Sequence, residues 1–140
     1  MNLSYKMNNE PKKILAEISA GELLDKLTIL EIKLYKIENL EKKKVIKEEI
    51  KALKVVIDKL AILKNADVAT LYDQLRTTNE KLWVIEDKIR IHEKEKNFDK
   101  EFIELARSVY INNDERFKIK SKINVLMDSN IKEVKEYADY

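Results

Sequence analysis

Residues that break helices are almost missing from this chain of 140 residues, which contains one Gly and one Pro. A β-sandwich or a doubly wound α/β domain needs many turn residues, so both folds are disfavoured. Apolar residues recur instead at alternating spacings of four and three. That spacing is typical of a helix with one buried face. The sequence therefore predicts long helices joined by short turns.

Four segments carry this pattern, and the predicted helices cover about 19–38, 41–64, 67–94 and 98–128. Four amphipathic helices with short links favour an all-α fold, an antiparallel up-down four-helix bundle of helical hairpins with coiled-coil-like packing. The predicted single domain spans 14–140, and the polar residues 1–13 are predicted to form a flexible N-terminal arm. In such a bundle helix 1 runs parallel to helix 3. The two terminal segments then meet and can pair as a short β-ribbon.

Three polar positions are predicted to mark helix ends. The run Ser19-Ala20-Gly21-Glu22 matches a capping box, in which Ser19 accepts from a first-turn amide and Glu22 reaches back. Asn39 is predicted to end helix 1, and Asp67 is predicted to cap the start of helix 3.

Charge and composition narrow the classes of function. The 28 basic and 26 acidic side chains give a net charge of +2, whereas a nucleic-acid clamp is dominated by basic charge. The absence of Cys excludes disulfides and thiolate sites, and one His cannot form an imidazole metal site. No run is apolar enough for a membrane span. We therefore expect a cytoplasmic protein with no nucleic-acid partner, no metal and no cofactor.

One turn of the fourth helix interrupts its buried stripe with polar residues, Asn112 and Arg116. If helices 3 and 4 fold back about residue 96, these positions face residues 80 and 76. Helix 3 has its own polar interruption there, with Thr78 on the stripe. The two interruptions therefore predict one polar layer between the helices, and helix 1 reaches the same level.

The predicted layer needs carboxylates, because an unpaired buried Arg costs several kcal/mol, on the order of the penalty for any buried charge. Its predicted members are Glu31, Arg76, Thr78, Asn79, Asn113, Asp114 and Arg116, and the candidate acidic partners of the two Arg are Glu31, Glu80, Asp114 and Glu115. Three interpretations stay open. The layer can fix helix register, it can bind a carboxylate or phosphate ligand, or Asn112–Asp114 can form a turn that splits helix 4.

Two further groups of residues lie toward the turn near residue 96. Glu86, Asp87 and Arg90 are residue types that can support acid–base chemistry, but with Arg107 they are predicted to form an ion-pair cluster, for which a structural role is favoured. His92, the single histidine, is predicted to be partly buried at a helix end.

Helices 3 and 4 are predicted to be longer than helices 1 and 2, so the end of their hairpin is left uncovered. The predicted interface residues there are Trp83, Ile85, Ile89, Phe98 and Phe102. An exposed apolar patch of this kind usually marks an interaction surface. We therefore expect a homo-oligomer and allow for a protein partner.

Three segments, "ISAGELLDKLTILEIK" (18–33), "LWVIEDKIR" (82–90) and "FIELARSVYINNDERFKIKSKIN" (102–124), carry a resemblance. They are similar to an uncharacterised bacterial family, a domain of unknown function (DUF). The resemblance implies a small bacterial or phage protein and a loose connection with surface-polysaccharide genes. It implies no activity and no catalytic residue. The matching polar positions are Asp25, Lys26, Thr28, Glu31, Glu86, Asp87, Arg90, Arg107, Tyr110, Asn113, Asp114 and Arg116.

Two hypotheses of function follow. The first is a non-enzymatic helical interaction or scaffold protein that self-associates and serves a partner enzyme or assembly. The alternative is a small-molecule-binding protein or enzyme that uses the polar layer on an anionic metabolite or sugar phosphate. The sequence leaves enzyme activity open but favours the non-enzymatic role.

Overall fold

The computed structural model describes residues 12–140 and contains four long helices. They are α1 (Ala20–Lys36), α2 (Leu40–Lys59), α3 (Ala66–Glu95) and α4 (Lys100–Leu126), with a short 3-10 helix (Ile62–Lys64) before α3. The described part of the chain contains no strand. The predicted all-α class is confirmed. Most of the predicted flexible arm, residues 1–11, lies outside the described residues. None of the helices in 12–140 is both long enough and apolar enough to span a membrane.

Helix α1 lies at the centre of the packing. It contacts α2, α3 and α4, whereas α2 contacts only α1 and the 3-10 helix. The core is formed by the buried apolar residues of α1 together with Ile46, Ile50, Ile57, Ile62, Val68, Leu75, Ile119 and Ile123. Because α1 is enclosed from two sides, its buried residues surround most of the helix rather than forming one stripe.

The direction of α1 differs from the parallel arrangement expected for helices 1 and 3. As α1 goes from Gly21 to Asp25, its hydrogen-bond partners on α4 go from Asn124 back to Arg116, so the two helices are antiparallel here. From Asp25 onward its partners on α3 also run backward, from Asn79 to Arg76. Since α3 and α4 are joined by a tight turn and are themselves antiparallel, α1 crosses the α3–α4 hairpin obliquely.

The observed helix caps agree only in part with the caps predicted from the sequence. Ser19 caps α1 as predicted, with its hydroxyl accepting from the Glu22 amide at 3.1 Å. The Glu22 carboxylate does not complete the capping box, because it pairs with Lys120 on α4. Asn39 does not end α1, because α1 stops at Lys36. The Asn39 side chain instead caps α2 by accepting from the Lys42 amide.

Helices 2 and 3 are separated earlier than predicted. Helix α2 ends at Lys59 because Ala61 adopts a left-handed backbone conformation (φ 51°), which turns the chain. This turn places Ile62, 2% exposed, in the core. The cap of α3 is Asn65, not Asp67, because the Asn65 side chain accepts from the first-turn amides at 3.0 and 3.2 Å.

The start of α1 and the end of α4 meet, as predicted, but the segments that flank them do not form the predicted β-ribbon. The Ser129 hydroxyl accepts from the Ala20 amide at 3.0 Å. Residues 131–140 then run back along α4 without regular structure. Charged side chains explain this path, because Glu133 pairs with Lys120 at 2.9 Å and Lys135 pairs with Asp114 at 2.8 Å. The tail therefore finds its partners on α4 rather than on residues 14–19.

Helix α4 is continuous from Lys100 to Leu126, so the interpretation in which Asn112–Asp114 split it is wrong. Its residues Asn113 and Asp114 stay helical: Asn113 lines a groove beside α1 and α3, and Asp114 binds the C-terminal tail. The Asn112 amide donates to the Ser108 carbonyl one turn earlier, which satisfies it within the helix.

The far end of the α3–α4 hairpin projects beyond the other helices. We define the hairpin tip as residues 85–109. All hydrogen bonds and ion pairs that the described structure gives for their side chains stay within the hairpin. Helix α3 has 30 residues and α1 has 17, so α3 is longer by about 20 Å at a rise of 1.5 Å per residue.

Candidate functional site

A close crossing of α1 over α4 sets the position of the polar centre. Gly21, the one glycine, is buried there, and its amide donates to the Asn124 side-chain oxygen at 2.7 Å. A Cβ at this position would lie 2.6 Å from the Lys120 carbonyl oxygen. Only glycine therefore fits here without displacing the α4 backbone.

One turn along α1, Asp25 is the centre of a buried polar cluster. It is 1% exposed and accepts from Arg116 Nε at 2.9 Å and from Asn79 Nδ2 at 2.9 Å. A second bond from Arg116 Nη2 makes the Arg–carboxylate pair bidentate. Asn79 also donates to the Thr28 hydroxyl at 2.7 Å. The pKa of Arg116 is raised above its ordinary value by the hydrogen bonds to Asp25.

Lys120 extends this cluster toward the surface. Its side chain is 8% exposed, and its ammonium lies 2.8 Å from Glu22, 2.9 Å from Glu133 and 3.9 Å from Asp25. Burial acts to lower the pKa of Lys120, but the hydrogen bonds to Glu22 and Glu133 outweigh it and raise the pKa above its ordinary value. The Lys120 ammonium is therefore held between two carboxylates.

A second cluster lies where α1 passes over α3. Arg76 pairs with Glu31 at 3.1 Å and with Glu80 at 3.3 Å. The Tyr72 hydroxyl also donates to Glu31. Burial, together with the bond to the Glu31 carboxylate, raises the pKa of Tyr72 above its ordinary value.

The structure brings together four of the seven residues predicted for the polar layer, but in two clusters. Asn79 and Arg116 belong to the Asp25 cluster, and Glu31 and Arg76 form the second cluster. Among the remaining three, Thr78 is buried but donates to a carbonyl of its own helix, Asn113 lines the groove described below, and Asp114 binds the C-terminal tail.

Two predicted pairings are wrong. The partner of Arg116 is Asp25, which was not among the four candidate carboxylates. The predicted ion-pair cluster is also incomplete, because Arg107 pairs with Glu104 at 3.3 Å rather than with Glu86 or Asp87. Arg107 and Glu104 lie one turn apart on α4, and this local pair forms without a contact to α3.

The helical pattern missed the roles of Asp25, Lys120, Asn124 and Gly21, although the resemblance included Asp25 among its matching polar positions. Asp25 lies beside the Leu23–Leu27–Leu30 stripe, on a side of α1 that a simple bundle would leave exposed. The available signal was the density of apolar residues between Leu23 and Ile32, since a helix that is apolar on most sides is buried on most sides.

His92 has a structural position at the end of α3, as predicted. It is 9% exposed, and its Nδ1 lies 3.0 Å from the Asn97 carbonyl oxygen, to which it donates. Its ring packs near Phe102 with the ring centroids 6.1 Å apart. His92 thus closes the turn between α3 and α4. Residues 12–140 contain no group of three or more side chains placed to hold a metal ion.

A groove of about 510 Å³ opens beside the Asp25 cluster, between α1, α3 and α4. Ile29 and Ile32 of α1 form one wall. The other walls come from Asn79, Leu82, Trp83, Glu86, Asp87 and Arg90 of α3 and from Asn113 and Arg116 of α4. Trp83 was predicted at the tip interface, but the structure places it in this groove at the base of the hairpin. The groove volume is typical of a small-molecule site.

The fold and site define an all-α protein in which one central helix is tied to a long hairpin through buried ion pairs. The chain belongs to DUF6165, a family of unknown function, whose family model matches residues 14–139. Searches of curated proteins and of solved structures gave no significant match.

Proposed function

We propose that this protein is a non-enzymatic helical interaction module that self-associates through the hairpin tip and serves a partner enzyme or assembly. One observation carries the proposal. Between Glu80 and Lys118 only His92 is buried, although this stretch continues the apolar stripes of both helices. Where α1 covers the same stripes, Leu75, Ile119 and Ile123 are at most 2% exposed.

The incomplete burial has a simple geometric cause. Two packed helices bury only the narrow strip along which they touch. The apolar stripe of an isolated hairpin is wider than this strip, so its edges stay exposed to water. Stripe residues Ile85, Ile89, Phe102 and Leu105 are therefore only half-buried. A second copy of the hairpin supplies two more helices and completes a four-helix arrangement. Exposed neighbours on the flanks, Ile91 (54%), Phe98 (53%) and Ile103 (54%), extend the same apolar surface.

The charge of the tip fits a second copy as the occupant. Its seven acidic and six basic side chains are nearly balanced, so two tips can approach without strong repulsion. Pairing of the same surface in both copies gives closed two-fold symmetry.

The polar centre supports the non-enzymatic role over the alternative of an anion-binding protein or enzyme. Arg116 is held by Asp25, Arg76 by Glu31 and Glu80, and Lys120 by Glu22 and Glu133. An anionic metabolite would have to displace these carboxylates. The connection with surface polysaccharides, the bacterial origin and the cytoplasmic location expected from the sequence stay predictions.

Substitution of tip residues by Asp is expected to give a folded monomer. The variants are Ile89→Asp and Phe102→Asp on the stripes, and the double variant Ile91→Asp/Ile103→Asp on the exposed flanks. A charge buried in the interface is unpaired and blocks association. Size-exclusion chromatography with light scattering gives the mass, and circular dichroism checks the helices.

Val55→Asp is the matched control, because Val55 is 63% exposed on α2, away from the tip. It should keep the oligomeric state of the unmodified chain. The flank variant guards against unfolding, since its two positions are exposed already in a single chain. Retention of the oligomer by all three tip variants would show that another surface mediates association.

A further inference from the structure

The charged side chains that line the groove beside the Asp25 cluster differ in whether they have an ion-pair partner. Of the charged residues that line it, Arg116 is paired with Asp25, and Arg90 is paired with Glu86 at 3.5 Å. Asp87 also lines the groove and is exposed to solvent, and none of the ion pairs or side-chain hydrogen bonds among residues 12–140 involves its carboxylate. The two acidic and two basic side chains of the groove balance formally, but the one without an ion-pair partner is a carboxylate, whereas an anion site would need an unpaired arginine.

An aromatic ring stands beside this free carboxylate. Trp83, Glu86, Asp87 and Arg90 are spaced three, four and seven residues apart, so they share one face of α3. Trp83 is half-buried, with Ile29 and Ile32 of α1 across the groove. An indole ring next to a carboxylate attracts organic cations, because the ring face carries negative potential and the carboxylate carries a full charge.

The other end of the groove offers hydrogen-bond donors. The hydrogen bonds of Arg116 to Asp25 use Nε and Nη2, so Nη1 has no hydrogen-bond partner among residues 12–140. The side-chain amide of Asn113 has no partner among the residues that the structure describes. A ligand with a cationic head, an apolar stem and a carbonyl oxygen at the far end would match all three regions.

We propose that this groove binds an alkylammonium group, with the cation against Asp87 and Trp83 and the apolar stem against Ile29 and Ile32. Two sources carry this chemistry, a free amine and the lysine side chain of a polypeptide. The proposal goes beyond self-association, because Trp83 precedes the tip and Asp87, near the start of the tip, lines the groove and does not belong to the apolar stripe.

The test uses the fluorescence of Trp83, which is the one tryptophan in the chain and reports directly on the groove. The full-length protein is titrated with n-butylammonium, with Nα-acetyl-lysine amide and with butyrate, at an ionic strength held constant with NaCl. We expect both amines to give a saturable change in the emission and butyrate to give none. Tighter binding of Nα-acetyl-lysine amide would identify a lysine side chain as the source, and tighter binding of n-butylammonium would identify a free amine.

The matched variants are Asp87→Asn and Asp73→Asn, which remove the same charge from two exposed positions of α3. We expect Asp87→Asn to weaken amine binding by about fivefold and Asp73→Asn by less than about twofold, as for loss of one exposed ion pair. The proposal is overturned if neither amine saturates, if butyrate binds more tightly than the amines, or if Asp87→Asn binds as the unmodified protein does.

Discussion

Replacement of Arg116 by Met is expected to lower the free energy of unfolding by about 2–3 kcal/mol. Met keeps an apolar stem of similar length, so packing changes little. The cost arises because Asp25, 1% exposed, keeps its negative charge and loses its bidentate partner. Lys120 lies 3.9 Å away and is already held by two other carboxylates, so it compensates only in part.

The double variant Asp25→Asn/Arg116→Met separates the loss of a pair from the loss of packing. Asn has no charge, and it can still accept from Asn79. We therefore expect the double variant to be more stable than Arg116→Met alone, with a coupling free energy of about 2 kcal/mol. Urea denaturation followed by circular dichroism measures all members of the cycle.

Arg76→Met is the control for this cycle, since it applies the same substitution on the neighbouring helix. Arg76 and its partner Glu31 keep 40% and 24% of their side chains exposed. A pair so open to water contributes little, and we expect a loss below about 1 kcal/mol. Equal losses for Arg116→Met and Arg76→Met would contradict the assignment of Asp25 as a buried charge.

Gly21→Ala is expected to destabilise the protein by about 2–3 kcal/mol, although alanine is the better helix former. The added Cβ would meet the Lys120 carbonyl oxygen at 2.6 Å and the Asn124 side-chain oxygen at 2.8 Å. Helix α1 must then move away from α4, and the hydrogen bond from the Gly21 amide to Asn124 is lost. Thermal unfolding followed by circular dichroism gives the direction of the effect.

Two further variants make this result specific. Ala52→Gly, at an exposed position of α2, measures the intrinsic preference for alanine in this chain, with an expected cost of about 1 kcal/mol. Adding Asn124→Ala to Gly21→Ala removes the side-chain overlap but not the overlap with the Lys120 carbonyl, so stability should not recover. A rise in melting temperature for Gly21→Ala would mean that the two helices are not in close contact.

The sequence predicted the helices well, because their apolar spacing reflects local geometry. It predicted helix ends less well, since Asn39, Asn65 and Asp67 are all good caps and only the path of the chain decides between them. The path of the chain also decides the partner of Glu22, which the capping-box pattern assigned to its own helix. Its carboxylate binds Lys120, nearly a hundred residues away in sequence.

The position of the polar centre was predicted from the sequence, but the ion-pair partner of Arg116 was not. The interruption at Arg116 correctly indicated a polar centre between the helices. Its partner depended on the crossing angle of α1, and a one-dimensional pattern does not contain that angle. The assumption that α1 runs parallel to α3 placed Glu31 at the level of the layer and left Asp25 out. The lone glycine pointed to the crossing, because a buried glycine inside a helix marks a close approach of two backbones.

The hairpin tip was predicted from helix lengths alone, and the structure adds the contrast in burial along one stripe. Leu75 is fully buried under α1, whereas Ile85 and Ile89, further along the same helix, are only half-buried. This contrast arises from the packing of one chain, and a second chain would remove it. Self-association through the tip is therefore the central claim about function.

Sedimentation velocity of the unmodified full-length chain tests this claim most directly. The measurement covers concentrations from below one micromolar to tens of micromolar, with the Ile91→Asp/Ile103→Asp variant run alongside. We expect the unmodified chain to convert from monomer to dimer over this range and the variant to remain a monomer of unchanged helix content. An unmodified chain that stays monomeric at tens of micromolar would contradict self-association and leave a different protein as the partner of the tip.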